Sequence, residues 1–250
     1  MRFFYFFFLA ISIYLFGNYP NFDDNPLLTK KMKTLIEPYL LPLDHPAKKL
    51  LDQIFYANQV IDNEETLKNN GFITKVQYGS SMVVAKHPLI PGFIFKIYRN
   101  SDPIGRDNMQ GVECLLLRCK NAKKTRSIIK KNDIIYFKAP EKWLYPISYK
   151  SNSQKKSLQP VILIATDMEL ETRDNIKLAW KNANEEHLNE LYILFKEGYG
   201  STYLINNIPF SKHGFFALVD LEKPKRKLNI KRVEKYFSDE KKLYWRKLIN

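Results

Sequence analysis

Three strand-like runs follow one another with little chain between them: FITKVQY (72–78), MVVAKHP (82–88) and FIFKIYR (93–99). The first connection is Gly79-Ser80-Ser81. The second is LIPG (89–92), in which Pro91-Gly92 suits the centre of a type II turn. Runs joined this tightly read as an antiparallel three-strand meander. This is the most constraining element in the chain, because the rest must be arranged around it.

The period before and after the meander is helical. Leu27, Leu28, Met32, Leu35, Ile36 and Tyr39 recur at helical spacing, and Pro42 breaks the pattern. Asp44 is placed to cap a second helix with Pro46 in its first turn, and Leu50, Leu51, Ile54 and Phe55 face inward. A third short helix is expected over about 64–68, ended by Asn70-Gly71. Residues 111–131 read as a helix with apolar Val112, Leu115, Leu116, Ile128 and Ile129 and basic remaining faces. YFKAPEKWLYPI (136–147) is strand-rich, and SYKSNSQKKS (148–157) is a polar loop. PVILIATDMEL (160–170) is a buried strand running into acidic residues, and 187–199 is an amphipathic helix. GFFALVDLE (214–222) reads as an interior strand that stops on Asp220 and Glu222.

The 250 residues allow one large domain or two small ones, and 45% apolar residues with 17 Phe and 15 Tyr exclude a disordered chain. The net charge of +14 points to an anionic partner: nucleic acid, a lipid surface, an acidic protein or a phosphorylated ligand. Residues 118–131 hold seven Lys/Arg and no acid, and 223–250 hold eleven Lys/Arg against three acids. Ile230, Val233, Tyr236 and Phe237, then Leu243, Trp245 and Leu248, predict two short basic helices in that tail. Cys114 and Cys119 sit on one helix pointing apart and read as structural. The four histidines, 45, 87, 187 and 213, show no metal spacing and read as surface or turn residues.

The order of these parts is similar to that of the protein-kinase-like superfamily over about residues 70–222. Phe93-Ile94-Phe95-Lys96 resembles the kinase strand whose lysine holds the nucleotide phosphates. Glu113 stands where the helix glutamate that pairs with that lysine would be. Val219-Asp220-Leu221-Glu222 lies where kinases carry their metal-binding Asp-Phe-Gly, and Asn207 precedes Asp220 by 13 residues, as does the second metal ligand. Thr166–Leu170 matches the hinge that meets an adenine. The resemblance therefore implies Lys96 and Glu113 for a nucleotide, Asn207 and Asp220 for a metal, and Mg²⁺ and ATP as cofactors. It also implies an α+β, two-lobed fold with an antiparallel N-lobe sheet and a truncated C-lobe, preceded by N-terminal helices. The departures are plain. Thr202 takes the place of the catalytic-loop Asp, and a threonine hydroxyl has no usable basicity at neutral pH. The glycine-rich loop and the Ala-Pro-Glu motif are absent from the sequence. The member implied is a reduced, pseudokinase-type one.

Each site residue also has a plainer reading. Alternation puts Lys96 opposite Phe93, Phe95 and Ile97, so it can be an outward residue of a half-buried strand. Glu113 can be a first-turn carboxylate favoured by the helix dipole, and Asn207 a turn residue. Asp220 is the position at which the functional reading outweighs the plain one.

Residues 1–20 stand apart. Arg2 precedes fourteen uncharged, mostly apolar residues (3–16), the length of a signal-peptide apolar region and short for a span. The expectation is export or membrane anchoring. The organisation read from the sequence is thus signal or anchor (1–20), helical extension (21–70), kinase-like core (71–222) and basic helical tail (223–250). Two functions follow. One is a degenerate kinase-like protein binding Mg-nucleotide, with weak or no phosphotransfer. The alternative is a secreted or membrane-tethered, non-enzymatic protein meeting an anionic partner, lipid or acidic protein, through basic surfaces. No named nucleic-acid motif is present.

Overall fold

In the computed structural model, residues 20–56, 61, 63–76, 82–98, 111–147, 159–220 and 229–250 are described. Residues 1–19, nearly all of the segment expected to be a signal or anchor, lie outside them, as do Leu221 and Glu222. Among the described residues no helix is long and apolar enough to cross a membrane.

The meander is present as β1 (Ile73–Val76), β2 (Met82–Lys86) and β3 (Phe93–Tyr98), all antiparallel. Gly92 takes a positive φ of 80° in the turn before β3, a conformation open to glycine at no steric cost. Two later strands, β5 (Lys142–Pro146) and β6 (Val161–Thr166), complete the sheet in the order β1-β2-β3-β6-β5, with β6 between β3 and β5. The fold is α+β with a five-stranded antiparallel sheet.

Both faces of this sheet are covered, and alternation sorts its side chains. One face carries Phe95, Ile97, Tyr145, Ile162 and Ile164, packed with Leu51, Phe55 and Leu67 from the preceding helices. The other carries Tyr98, Leu144, Leu163 and Ala165, packed with Leu115, Leu116 and Cys119 of α5 (Gly111–Lys131). Before the sheet come α1 (Pro20–Asp23), α2 (Lys30–Ile36) running into a 3-10 turn (Glu37–Tyr39), α3 (Lys48–Tyr56) and α4 (Glu64–Asn69). The second helix starts at Lys48 and not at Asp44-His45-Pro46. His45 instead accepts the Ala47 N–H on Nδ1 within the turn, so the Pro46 position is a turn and not a first helical turn. Asn63 caps α4 reciprocally with Thr66, which explains its abrupt start. His87, expected as a surface or turn residue, opens the turn after β2, where its carbonyl accepts the Ile90 N–H, but it is buried, 6% exposed. It packs edge-on against Phe72, accepts the Leu89 N–H on Nδ1 and thereby presents Nε2–H to the Asn70 carbonyl.

The second half has its own core. The short β4 (Phe137–Lys138) leads from α5 towards the sheet. After β6 come α6 (Arg173–Lys181), α7 (Glu185–Lys196), the single turn α8 (Leu204–Asn207) and β7 (Phe216–Ala217). The tail forms a 3-10 segment (Ile230–Tyr236) and α9 (Asp239–Ile249), as the spacing predicted. Its Val233, Phe237 and Trp245 are buried in the same cluster as Trp180, Leu188, Leu191 and Phe216. The strand expected over 214–222 is much shorter. Phe216 and Ala217 alone pair, in parallel with β4, and Leu218 to Asp220 continue as irregular chain. Helices and rings bury Phe215 to Leu218, so the apolar run reflects burial rather than an extended ladder.

A candidate anion site between the sheet and α5

Lys96 and Lys142 lie on the strands that flank β6. Lys96 is paired with Leu163 and Lys142 with Ala165, so both point to the α5 face, with the small Ala165 leaving room between them. Alternation placed Lys96 on the correct face, but that face is covered by α5 and not by water. Lys96 is 5% and Lys142 6% exposed, which removes the outward reading of Lys96. From α5, Arg118 reaches into the same space and is 2% exposed. The chain leaving β7 enters from below. The Val219 carbonyl accepts from Lys142 Nζ at 3.0 Å and from Lys96 Nζ at 3.4 Å. The Asp220 carboxylate is held by the Arg118 guanidinium and lies 3.9 Å from Lys96 Nζ.

Three buried cations thus surround one carboxylate and one carbonyl. Burial is the main reason that the Lys96 ammonium is depressed to about 8, with the Arg118 charge adding to it and Asp220 opposing. Lys142 is lowered to about 7, again chiefly by burial and then by Lys96, while Asp220 opposes. Burial pushes the neighbouring Cys119 thiol up to about 12, against the pull of Lys142 and Arg118. That thiol is neutral at physiological pH and adds no negative charge. Among the described residues the cluster sets three cationic side chains against one carboxylate, and the cost of holding buried cations without a full complement of counter-charge is high.

The sequence-predicted residues fall as follows. Lys96 and Asp220 are brought together. Asn207, the last residue of α8, is tied to the same chain, because its carbonyl accepts the Val219 N–H at 3.0 Å. Its side-chain amide donates to Ser201 Oγ at 2.9 Å. Glu113 is half-buried on the first turn of α5 and forms no ion pair with Lys96, whose carboxylate neighbour is Asp220. Arg118 and Lys142 were missed. Arg118 is the first cation of a basic run, and Lys142 follows Glu141 in a stretch read only as strand-rich. The signal available was spacing: Arg118 lies on a turn of α5 flanked by apolar Leu115, Leu116 and Cys119.

The donor set does not fit a Mg²⁺ ion. A Mg²⁺ ion is held by one or two carboxylates together with waters and phosphates, whereas here the one carboxylate of the cluster among the described residues is engaged by Arg118 and approached by an ammonium. Among the described residues no group of three or more His, Cys, Asp or Glu could hold a metal. The stretch matched to a hinge is likewise occupied internally. The Asp167 N–H donates to Gly92 O at 2.8 Å, the Met168 carbonyl accepts from Ser211 Oγ at 2.6 Å, and the Glu169 carbonyl accepts the Lys212 N–H at 2.9 Å. Asp167 itself is ion-paired to Lys86. What the cluster can hold is an anion, by charge-assisted hydrogen bonds. Neither a scan against protein-family models nor a search of curated proteins finds a match to this chain.

Proposed function

We propose that this chain is a degenerate, pseudokinase-type member of the kinase-like fold that holds phosphate groups on Lys96, Lys142 and Arg118, without Mg²⁺ and without phosphotransfer. The observation that carries the reading is the convergence of the buried Lys96, Lys142 and Arg118 on one space beside Asp220, where among the described residues cations outnumber carboxylates. The two-lobed kinase-like arrangement is part of the proposal. It is supported by the order of parts: meander, α5, β5 and β6, then a helical half that returns Asp220 to Lys96. Loss of catalysis is supported by Thr202 in the base position and by the cationic partner of Asp220. The hinge groups already bonded within the chain favour recognition of the phosphates over recognition of a base, so a nucleotide and a bare polyphosphate should compete comparably. Asp220 is the most open member of the cluster, with its side chain 26% exposed, and phosphate would approach past it.

The test is a calorimetric titration of the protein with ATP and with tripolyphosphate, both in EDTA. Both are expected to bind, with loss of about tenfold or more in affinity in Lys142→Met, since a charge-assisted hydrogen bond contributes about 1.5–3 kcal/mol. Affinity should also fall from pH 7 to pH 9, because the Lys142 and Lys96 ammonium groups must be charged to hold phosphate and they deprotonate over that range. ATP binding that requires Mg²⁺, or that survives Lys142→Met unchanged, would contradict the reading.

The second reading is an exported or membrane-tethered protein that meets an anionic partner through basic surfaces, and its anionic partner is favoured by a basic groove on the helical half.

A further inference from the structure

α6 carries Arg173, Lys177 and Lys181 at i, i+4 and i+8, one cationic stripe along an exposed face. Like charges at this spacing repel and weaken an isolated helix. Facing the stripe, the tail's 3-10 segment supplies Lys231, Arg232 and Lys235. Between them lies a concavity of about 440 Å³, lined by Arg173, Lys177, Lys181 and Lys235 together with Ile205, Tyr236 and Phe237. A second concavity of about 340 Å³ adjoins it and adds Thr202, Lys231 and Arg232, with Tyr203 and Lys235 shared by both. Tyr203 is 60% exposed at the junction.

The nearby acids offset only part of this groove's charge. Glu234 pairs with Arg246 and Asp239 with Lys242, neither of which lines it, and Asp174 pairs with Lys177 of the lining. Arg173, Lys181, Lys231, Arg232 and Lys235 form no salt bridge among the described residues. The groove therefore has a cationic rim and an apolar floor. A flat lipid surface cannot enter a concavity, and a bare polyphosphate would leave Ile205, Tyr236 and Phe237 unused. An extended chain with carboxylates flanking an apolar side chain uses both features.

We infer that this groove docks an acidic peptide segment of a protein partner. One apolar side chain seats against Ile205, Tyr236 and Phe237, and the flanking carboxylates meet Lys181, Lys231, Arg232 and Lys235. Rim charges of this kind act mainly on association and salt dependence, and the buried anchor supplies the specificity.

The test is an anisotropy titration of the full chain, at an ionic strength of about 150 mM, with a labelled Asp/Glu-rich peptide bearing a central leucine and with its glycine twin. The leucine peptide is expected to bind about tenfold tighter or more, as burial of one such side chain allows. The paired charge reversal Lys181→Glu/Lys235→Glu should weaken it by about tenfold or more. Lys124→Glu/Lys130→Glu, the same charge change on exposed positions of α5, should weaken it less than about twofold. All four positions are exposed, where substitutions seldom move stability by more than about 0.5 kcal/mol, and unfolding curves of the variants check this. Lys142→Met should leave peptide binding unchanged, so failure of the phosphate reading and failure of this one are separable. Equal binding of the leucine and glycine peptides, equal losses in both double variants, or equally tight groove-dependent binding of polyglutamate, an oligonucleotide or anionic vesicles would each overturn the inference.

Discussion

Between pH 7 and pH 9 the protein is expected to gain about 2–3 kcal/mol of stability, seen as a rise of about 5–10 °C in Tm. The sign follows from the two buried lysines. Lys96 and Lys142 are depressed to about 8 and about 7 when folded, against 10.5 for the free side chain. From pH 7 to 10.5 the unfolded chain therefore binds more protons than the folded one, and stability rises with pH wherever that holds. Well below pH 7 both states are protonated and the full penalty of the buried charges is present. Cys119 acts in the opposite sense: its thiol is raised from 9.0 to about 12 on folding, so it opposes the gain above pH 9 and leaves pH 7 to 9 as the clean window. Lys142→Met should remove most of the pH dependence and leave the variant at least as stable as the parent at pH 7. A flat or falling Tm from pH 7 to 9 in the parent protein would mean that the ammonium groups are better compensated than the cluster indicates.

Trp180→Ala should cost about 3–5 kcal/mol, enough to lower Tm by about 10 °C or more. Trp180 is fully buried and its ring stacks on Phe216 at 3.9 Å, with Phe137 and Phe237 at 6.2 and 6.1 Å. Its indole N–H donates to the Ile208 carbonyl at 3.0 Å. One side chain thus joins α6, the α8 loop, β7 and the tail. Trp180→Phe retains most of the ring and loses the hydrogen bond, so it should cost about 1–3 kcal/mol, the charge for an unsatisfied buried acceptor. Because Ile208 follows Asn207, whose carbonyl holds the Val219 N–H, this packing also positions Asp220 under the sheet. Urea unfolding of the two variants measures the difference, and equal losses would assign the whole effect to the hydrogen bond.

The parts of this fold that were legible were those whose burial follows one regular period. The meander alternates cleanly, and α5 shows its apolar residues at both ends of a long basic helix, so both were placed to within a few residues. α6 was not read, because only Ile176 and Trp180 of its nine residues are buried and its charges looked like linker. The run before Asp220 was read as a long strand because its residues are apolar. They are apolar because loops, helices and the tail close over them, and two residues alone join a ladder. At the site, Lys96 and Asp220 were legible from position in an apolar run. Arg118 and Lys142 were not, since Arg118 opens a run of basic residues, Lys142 follows Glu141, and each is buried only by the approach of the sheet face to α5. Local sequence does not carry that approach.

Asp220→Asn separates an anion site at this cluster, as proposed, from a metal site. A metal–nucleotide site loses its ligand in this variant, whereas an anion site loses its one competing negative charge. Asp220→Asn leaves Arg118 without its carboxylate and should destabilise the fold by up to about 3–5 kcal/mol, so the measurement is made at a temperature where the variant is folded. ATP affinity is measured by calorimetry for the parent and Asp220→Asn, in EDTA and in Mg²⁺. The expected result is binding in EDTA that is retained or strengthened in the variant and indifferent to Mg²⁺. Binding that needs Mg²⁺ in the parent and disappears in Asp220→Asn would contradict the account.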